Sequence, residues 1–270
     1  MLSVTSAQLD AWLALFMFPL ARIMGLIATA PIFSNATLPR RNRVILGLVL
    51  SIALSPALPP MPVIVTGSWI GLAILAEQLL IGLLMGMTLR IVFAAIDLAG
   101  ELIGLQMGLS FAVFYDPQSS GQTPVITEFL SLFASLIFLA MDGHLVAIAA
   151  LAKSFQMLPI TAQPFAIKGL ASFLSWAGTL FSSGVLLALP LIAALLIANL
   201  ALGVLTRMAP TLNLFAIGFP VTLSAGFIVL MLSLPYMESA LVRLYEQGFN
   251  SLETVILAAK PPTAIIGTQP

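Results

Sequence analysis

Charge is scarce in this 270-residue chain, so the places where it interrupts apolar sequence are where chemistry would be sought. Arg22, Glu77, Arg90, Asp97, Glu101 and Arg207 all fall inside apolar runs or at their ends. An ionisable group there is costly enough to need a partner, a water-filled path or a function. Asp97 and Glu101 stand one helical turn apart and share a face with each other and roughly with Arg90. That spacing suits an internal ion-pair cluster, within the chain or across a subunit boundary. A proton or cation relay is the competing chemistry. Pairing is favoured because a relay generally draws carboxylates from several helices, although Glu77 keeps the relay open. Arg22 reads as a buried partner for one of these carboxylates, since voltage sensing uses a row of arginines.

Catalysis has little raw material. There is no cysteine, and His144 is the only histidine, which removes thiolate metal sites and leaves almost nothing for a zinc centre or a histidine-based triad. Tyr115-Asp116 is half of the pattern of an intramembrane aspartyl protease, but Pro117 follows and no second Gly-x-Gly-Asp occurs. Ser119 and Ser120 lack the Gly-x-Ser-x-Gly setting of a nucleophile. No catalytic residue, metal site or cofactor is expected. Asp142-Gly143-His144 reads instead as a helix start, with Asp142 as the capping acceptor. The most unusual local stretch runs from Gly108 to Pro124, passing from an apolar helix into a loop with Phe111, Phe114 and Tyr115. Irregular backbone at membrane depth survives only against protein or a water-filled cavity, which makes a pore plug one reading. An ordinary loop with interfacial aromatics is the other. On the residues alone the two stand level.

The elements that must hold these residues are helices. Hydrophobic residues make up 60% of the chain and charged ones 7%, and the mean hydropathy is +1.13, more apolar surface than a water-soluble fold could hide. Ten basic and ten acidic residues cancel, leaving no basic face for nucleic acid. Apolar runs at Ala11–Phe33, Val44–Leu58, Trp69–Leu89, Ile91–Tyr115, Val125–Met141, His144–Leu158, Leu170–Leu205 and Leu212–Leu234 predict about eight helices of irregular length. Those at Val44, Val125 and His144 fall short of the ~20 residues that cross a hydrocarbon core. The run from Leu170 is too long for one, with Pro190 as its break. Gly82 and Gly86, and Gly100, Gly104 and Gly108, recur every fourth residue and line helix faces for close packing.

If every run reverses direction, Arg40, Arg41, Arg43, Arg90 and Arg207 share one side, cytoplasmic by the positive-inside rule, and both termini face outward. Lys153 and Lys168 then fall near the other side. A cleavable leader is not expected, because Arg22 interrupts the first run and Pro31 follows Ala28 and Ala30. Met237–Leu257 is amphipathic, with Leu241, Tyr245, Phe249, Leu252 and Ile256 on one stripe, and is expected to lie on lipid or on a partner subunit. The tail beyond it (259–270) is expected to be disordered.

Several segments together resemble the FliR family, whose injectisome relatives are called SctT. The carriers are Arg22 with Ala30-Pro-Ile-Phe33, Pro39-Arg40, Gly100-Glu-Leu-Ile-Gly-Leu-Gln-Met-Gly-Leu-Ser-Phe111, Asp116-Pro117, Gly143-His-Leu145, Leu158-Pro159, Asn199-Leu-Ala-Leu-Gly203, Arg207-Met-Ala-Pro210 and Gly218-Phe-Pro220. They span nearly the whole chain in family order, and their wording is closer to the flagellar branch. The resemblance implies an all-α membrane protein, non-enzymatic, that joins FliP and FliQ in a helical, closed export gate. With FlhB and FlhA, such a gate passes unfolded flagellar proteins out across the bacterial inner membrane at the basal body. It further implies a FliP-like part (1–174), a FliQ-like helical hairpin (175–234) and, after it, the amphipathic helix (235–258). By the same resemblance the loop 110–122 maps onto a pore plug, with Ser110, Phe111, Phe114, Tyr115, Asp116 and Pro117 as its residues. Arg207, Pro210 and Asn213 map onto the cytoplasmic turn of the hairpin. The rival is an independent secondary transporter or channel for ions or small solutes, with Glu77, Asp97 and Glu101 in its path. The lack of a convincing inverted repeat weakens it.

Overall fold

The computed structural model describes residues 5–35, 38–59, 67–109, 124–161, 163–208 and 214–261. Among these residues every regular element is helical: α1 (Ser6–Thr29), α2 (Arg40–Leu54), α3 (Trp69–Gln106), α4 (Val125–Ala140), α5 (Gly143–Met157), α6 (Ile167–Met208) and α7 (Leu214–Ala258), with a 3-10 turn at Ser55–Ala57. Asp10–Thr29, Trp69–Gln106, Ile167–Met208 and Gly218–Ala258 are long and apolar enough to cross a membrane, and the interrupted pair α4–α5 makes a fifth span if counted as one. Alone, α2, α4 and α5 have only 15, 16 and 15 residues.

Among the described residues seven α-helices stand where eight apolar runs and a separate C-terminal amphipathic helix were expected, because two boundaries are absent. Trp69–Leu89 and Ile91–Tyr115 are not separate: α3 runs unbroken through Arg90 to Gln106. Arginine is a good helix former, and a single charge without glycine or proline does not end a helix. The alternation of eight runs, and the sidedness drawn from it, fails with that boundary. Likewise Met237–Leu257 is no separate amphipathic helix but the second half of α7, which continues through Pro220 and Pro235. The break expected at Pro190 is also missing, since α6 continues past it. Each proline removes one rung of the ladder, and tertiary packing carries the helix across the gap.

The termini that do form have local causes. Thr5 and Gln8 make a reciprocal capping box at the start of α1. After α3, Gly108 adopts φ 80°, while its N–H donates to Leu105 O and that of Leu109 donates to Gly104 O. This is the left-handed C-terminal cap that glycine accommodates without strain. Asp142 precedes α5 with φ 55°, but its side chain makes no capping bond; its carbonyl instead accepts from the N–H groups of Leu145 and Val146.

The chain divides into two compact units. The first holds Met1–Arg90, Asp142–Ala177 and Gln247–Pro270; the second holds Ile91–Met141 and Gly178–Glu246. The core of the first gathers Phe18, Ile23 and Leu26 of α1, Ile81 and Met85 of α3, Leu151 and Phe155 of α5, and Leu252 and Ile256 of α7. In the second, α4 buries Ile126, Leu130, Ala134 and Phe138, a strict every-fourth-residue stripe. Phe93, Phe138 and Tyr245 meet there with ring centroids 5.1–5.8 Å apart, and the Tyr245 hydroxyl donates to Ala134 O at 2.8 Å. The stripe expected to lie on lipid or a partner is therefore spent inside the protein: Leu241, Tyr245, Leu252 and Ile256 are buried and Phe249 is half-buried. Ala259 is buried too, and its carbonyl accepts from Ala166 N, so the expected tail does not begin there; residues 262–270 lie outside those described.

Candidate functional site

Arg22 is the most deeply placed charge in the first unit, with no exposed surface. Every partner it has comes from elsewhere in the chain. Its Nε and Nη2 donate to Gln78 Oε1 at 2.8 and 2.5 Å, Nη1 to Ser154 Oγ at 3.1 Å, and Nη2 also to Leu158 O at 2.9 Å. The guanidinium lies 4.3 Å from the centre of the Phe155 ring, where the ring face attracts a cation. The partners that accept its hydrogen bonds are neutral, where a carboxylate had been expected. Glu77 is close enough for its charge to act on Arg22, and it accepts a hydrogen bond from the main-chain N–H of Phe165. No ion pair joins the two among the described residues; the ion pair found there is Lys153 with Glu253 at 2.7 Å on the surface. A planar fork with donors on several sides suits such a junction, because it ties three chain segments with one group. What results is a clamp holding α1, α3 and the end of α5 together.

The same helices meet through glycine. A Cβ on Gly25 would lie 2.5 Å from Leu79 O, and one on Gly82 would collide with the main chain at Arg22. One on Gly86 would meet Thr29 Oγ1, Ala30 N and Leu26 O. Thr29 Oγ1 bridges this crossing by donating to Gly25 O and Leu83 O at 3.0 and 3.3 Å. In the second unit Gly100 gives the same close approach to Thr127 of α4, whereas Gly104 has room, with Ile126 Cβ 4.0 Å away. Gly108 stands past the end of α3 and serves the cap instead of a packing face.

Within this chain, among the described residues, the acidic pair forms no ion pair with Arg90. Asp97 accepts a hydrogen bond from Ser131 Oγ of α4, while Glu101 and Arg90 are exposed on this chain. Arg207 is exposed in the last turn of α6. Ser110, Phe111, Phe114, Tyr115, Asp116 and Pro117, proposed for the plug, lie outside the described residues, as do Pro210 and Asn213 of the turn. Gln78, Ser154, Ser131 and Gly25 were not singled out from sequence. Gln78 and Ser154 are polar residues in apolar runs, a weak signal that could have marked them; Gly25 carried none beyond its type.

Among the described residues no group of three histidine, aspartate or glutamate side chains is placed to hold a metal ion. Long apolar helices joined by close glycine crossings and buried polar clamps define an all-helical membrane protein built for packing. The chain matches the family described as bacterial export proteins, family 1, over residues 13–248. It is 42% identical over 256 residues to the flagellar biosynthetic protein FliR of Escherichia coli (strain K12), covering 95% of this chain and 98% of that protein. FliR of Pectobacterium carotovorum subsp. carotovorum is 40% identical over 259 residues, with coverages of 95% and 98%. FliR of Aquifex aeolicus (strain VF5) is 34% identical over 259 residues, with 96% and 99%. The chain belongs to the FliR family of bacterial export proteins.

Proposed function

We propose that this chain is a structural, non-enzymatic subunit of the flagellar protein-export gate in the bacterial inner membrane at the basal body, where with FliP and FliQ it encloses a closed pore for unfolded flagellar proteins. FlhB and FlhA are its further partners. The observation that carries the reading is a mismatch of length. Helices of 38, 42 and 45 residues are about 57, 63 and 68 Å long at ~1.5 Å per residue, against ~30 Å of hydrocarbon. Apolar side chains are exposed at widely separated levels, among them Trp69, Leu72 and Leu105 of α3, and Leu174, Phe181 and Leu200 of α6. One lipid slab does not reach all of them, and water disfavours the remainder. Sister subunits would cover it.

In this reading residues 1–174 are the FliP-like part and 175–234 the FliQ-like hairpin turning at Arg207, Pro210 and Asn213. The segment 110–122 is the plug, sealed by Phe111, Phe114 and Tyr115, whose rings pack in the closed state and yield to a passing chain. Gly82, Gly86 and Gly100 serve helix packing, and Arg22 is a structural clamp. The rival transporter reading is disfavoured because Glu77 and Asp97 each have a local partner and fall in different units.

Purification through a tag on this chain tests the assembly: FliP and FliQ are expected in the eluate at constant ratio, and their absence overturns the reading. Removing residues 110–122 from the assembled gate is expected to make it leak ions in a bilayer recording. Unchanged conductance removes the plug assignment and leaves the gate assignment standing.

A further inference from the structure

In the first unit, α2 packs one side against α1: Gly47 and Ser51 are buried, and a Cβ on Gly47 would meet the sulfur of Met24. Its other side is exposed and ordered by residue type. Arg41, Ile45, Val49 and Ile52 follow at the i, i+4, i+8 and i+11 spacing of one helical stripe, with Val49 56% and Ile52 66% exposed. Charge heads the stripe, and apolar side chains make up the rest.

Three arginines open the helix, Arg40, Arg41 and Arg43, and no acidic residue stands in its first turn. Positive charge at this end of a helix opposes the helix dipole and calls for an anion. The unit is poor in anions, with eight basic residues against four acidic, and the ion pair found among the described residues joins Lys153 to Glu253. Arg43 is half-buried and donates to Asn35 O at 2.6 Å, which ties the helix to the turn before it. Arg40 and Arg41 are exposed, and neither pairs with a carboxylate among the described residues.

From Arg41 to Ile52 the stripe rises about 16 Å at ~1.5 Å per residue, about the depth of one leaflet, half of a ~30 Å hydrocarbon core. The planar guanidinium fork takes phosphate oxygens in pairs. An acidic protein surface would also neutralise the arginines, but it gives no reason for the apolar stripe to begin one turn from the charge and to end at the depth of a leaflet. We propose that α2 holds an anionic phospholipid, with its phosphate on Arg40 and Arg41 and its acyl chains along Ile45, Val49 and Ile52. The site stands apart from the gate reading: lipid preference is decided by labelling, gate membership by co-purification.

The test purifies the full chain, with the partners it retains, in a mild non-ionic detergent and adds phosphatidylglycerol carrying a diazirine in one acyl chain, with the matching phosphatidylcholine as the comparison. After illumination the adducts are mapped by mass spectrometry. Phosphatidylglycerol is expected to label α2 about fivefold or more above phosphatidylcholine, and the double variant R40Q/R41Q to lose that preference, since each arginine at a lipid surface is worth about fivefold in affinity. Both side chains are exposed, so the thermal midpoint of the variant is expected to match that of the unaltered chain. An excess of inorganic phosphate is expected to leave the labelling unchanged, because it lacks the chains that lie on the stripe. Equal labelling by the two lipids would overturn the proposal, as would a preference that survives R40Q/R41Q. Competition by inorganic phosphate would reduce the site to a bare anion site and overturn it too. So would an α2 free of adducts whose R40Q/R41Q form sheds a protein partner, which would make the arginines a contact for an acidic protein surface.

Discussion

At the scale of single residues, Arg22 is the clearest consequence of placing charge in an apolar unit. Its burial is tolerated because its fork reaches an amide, a hydroxyl and a carbonyl and lies against an aromatic ring. Removing one side of such a junction strands the other side without partners. Arg22→Ala is therefore expected to destabilise the protein by about 1–3 kcal/mol for each buried neutral acceptor it leaves unpaired. Arg22→Lys should lose less, since it keeps the charge without the fork. Thermal unfolding followed by circular dichroism in detergent would read both, and a midpoint unmoved by Arg22→Ala would remove the clamp. The sequence marked Arg22 as exceptional and pointed to a carboxylate, and the charge of Glu77 does act on it, but it did not name the neutral groups that accept its hydrogen bonds. Gln78 and Leu158 lie 56 and 136 residues away, and nothing local distinguishes a carboxylate acceptor from an amide at that separation.

At the scale of elements, the crossing of α1 and α3 depends on the absence of side chains where two backbones nearly touch. Overpacking a fitted interface costs about 1–3 kcal/mol, and Gly82→Ala is expected at the upper end of that range because the obstacle is main chain. Gly104→Ala is expected to be neutral or stabilising by up to about 1 kcal/mol, since its site has room and alanine favours the helix. Equal effects in the same unfolding assay would contradict the geometry. Four-residue spacing identified the glycines as a set, but only the fold separates those in contact from Gly104, which has space, and Gly108, which caps. Helix extents were misread for a related reason. Arg90, Pro190 and Pro235 are interruptions in a one-dimensional pattern, yet neither a lone charge nor a proline ends a helix that packing holds on both sides. The buried stripe of the C-terminal half of α7 was legible as a stripe. Its target, this chain's own core, was not, because periodicity reports a face and not what covers it.

At the scale of the whole molecule, composition fixed the solvent class and family likeness fixed the kind of protein, while the division of exposed apolar surface between lipid and protein needed the helix lengths. The central claim is that faces such as those of Leu72 on α3 and Leu132 and Leu136 on α4, all more than half exposed, are completed by sister subunits. A chain left with such faces uncovered should be recognised and degraded. The most direct test is a pulse-chase of the full chain made with and without FliP and FliQ in the same cells. The account predicts rapid loss of the chain made alone and persistence when both partners are present. A chain that persists alone as a folded monomer and moves a small solute across vesicles would contradict it.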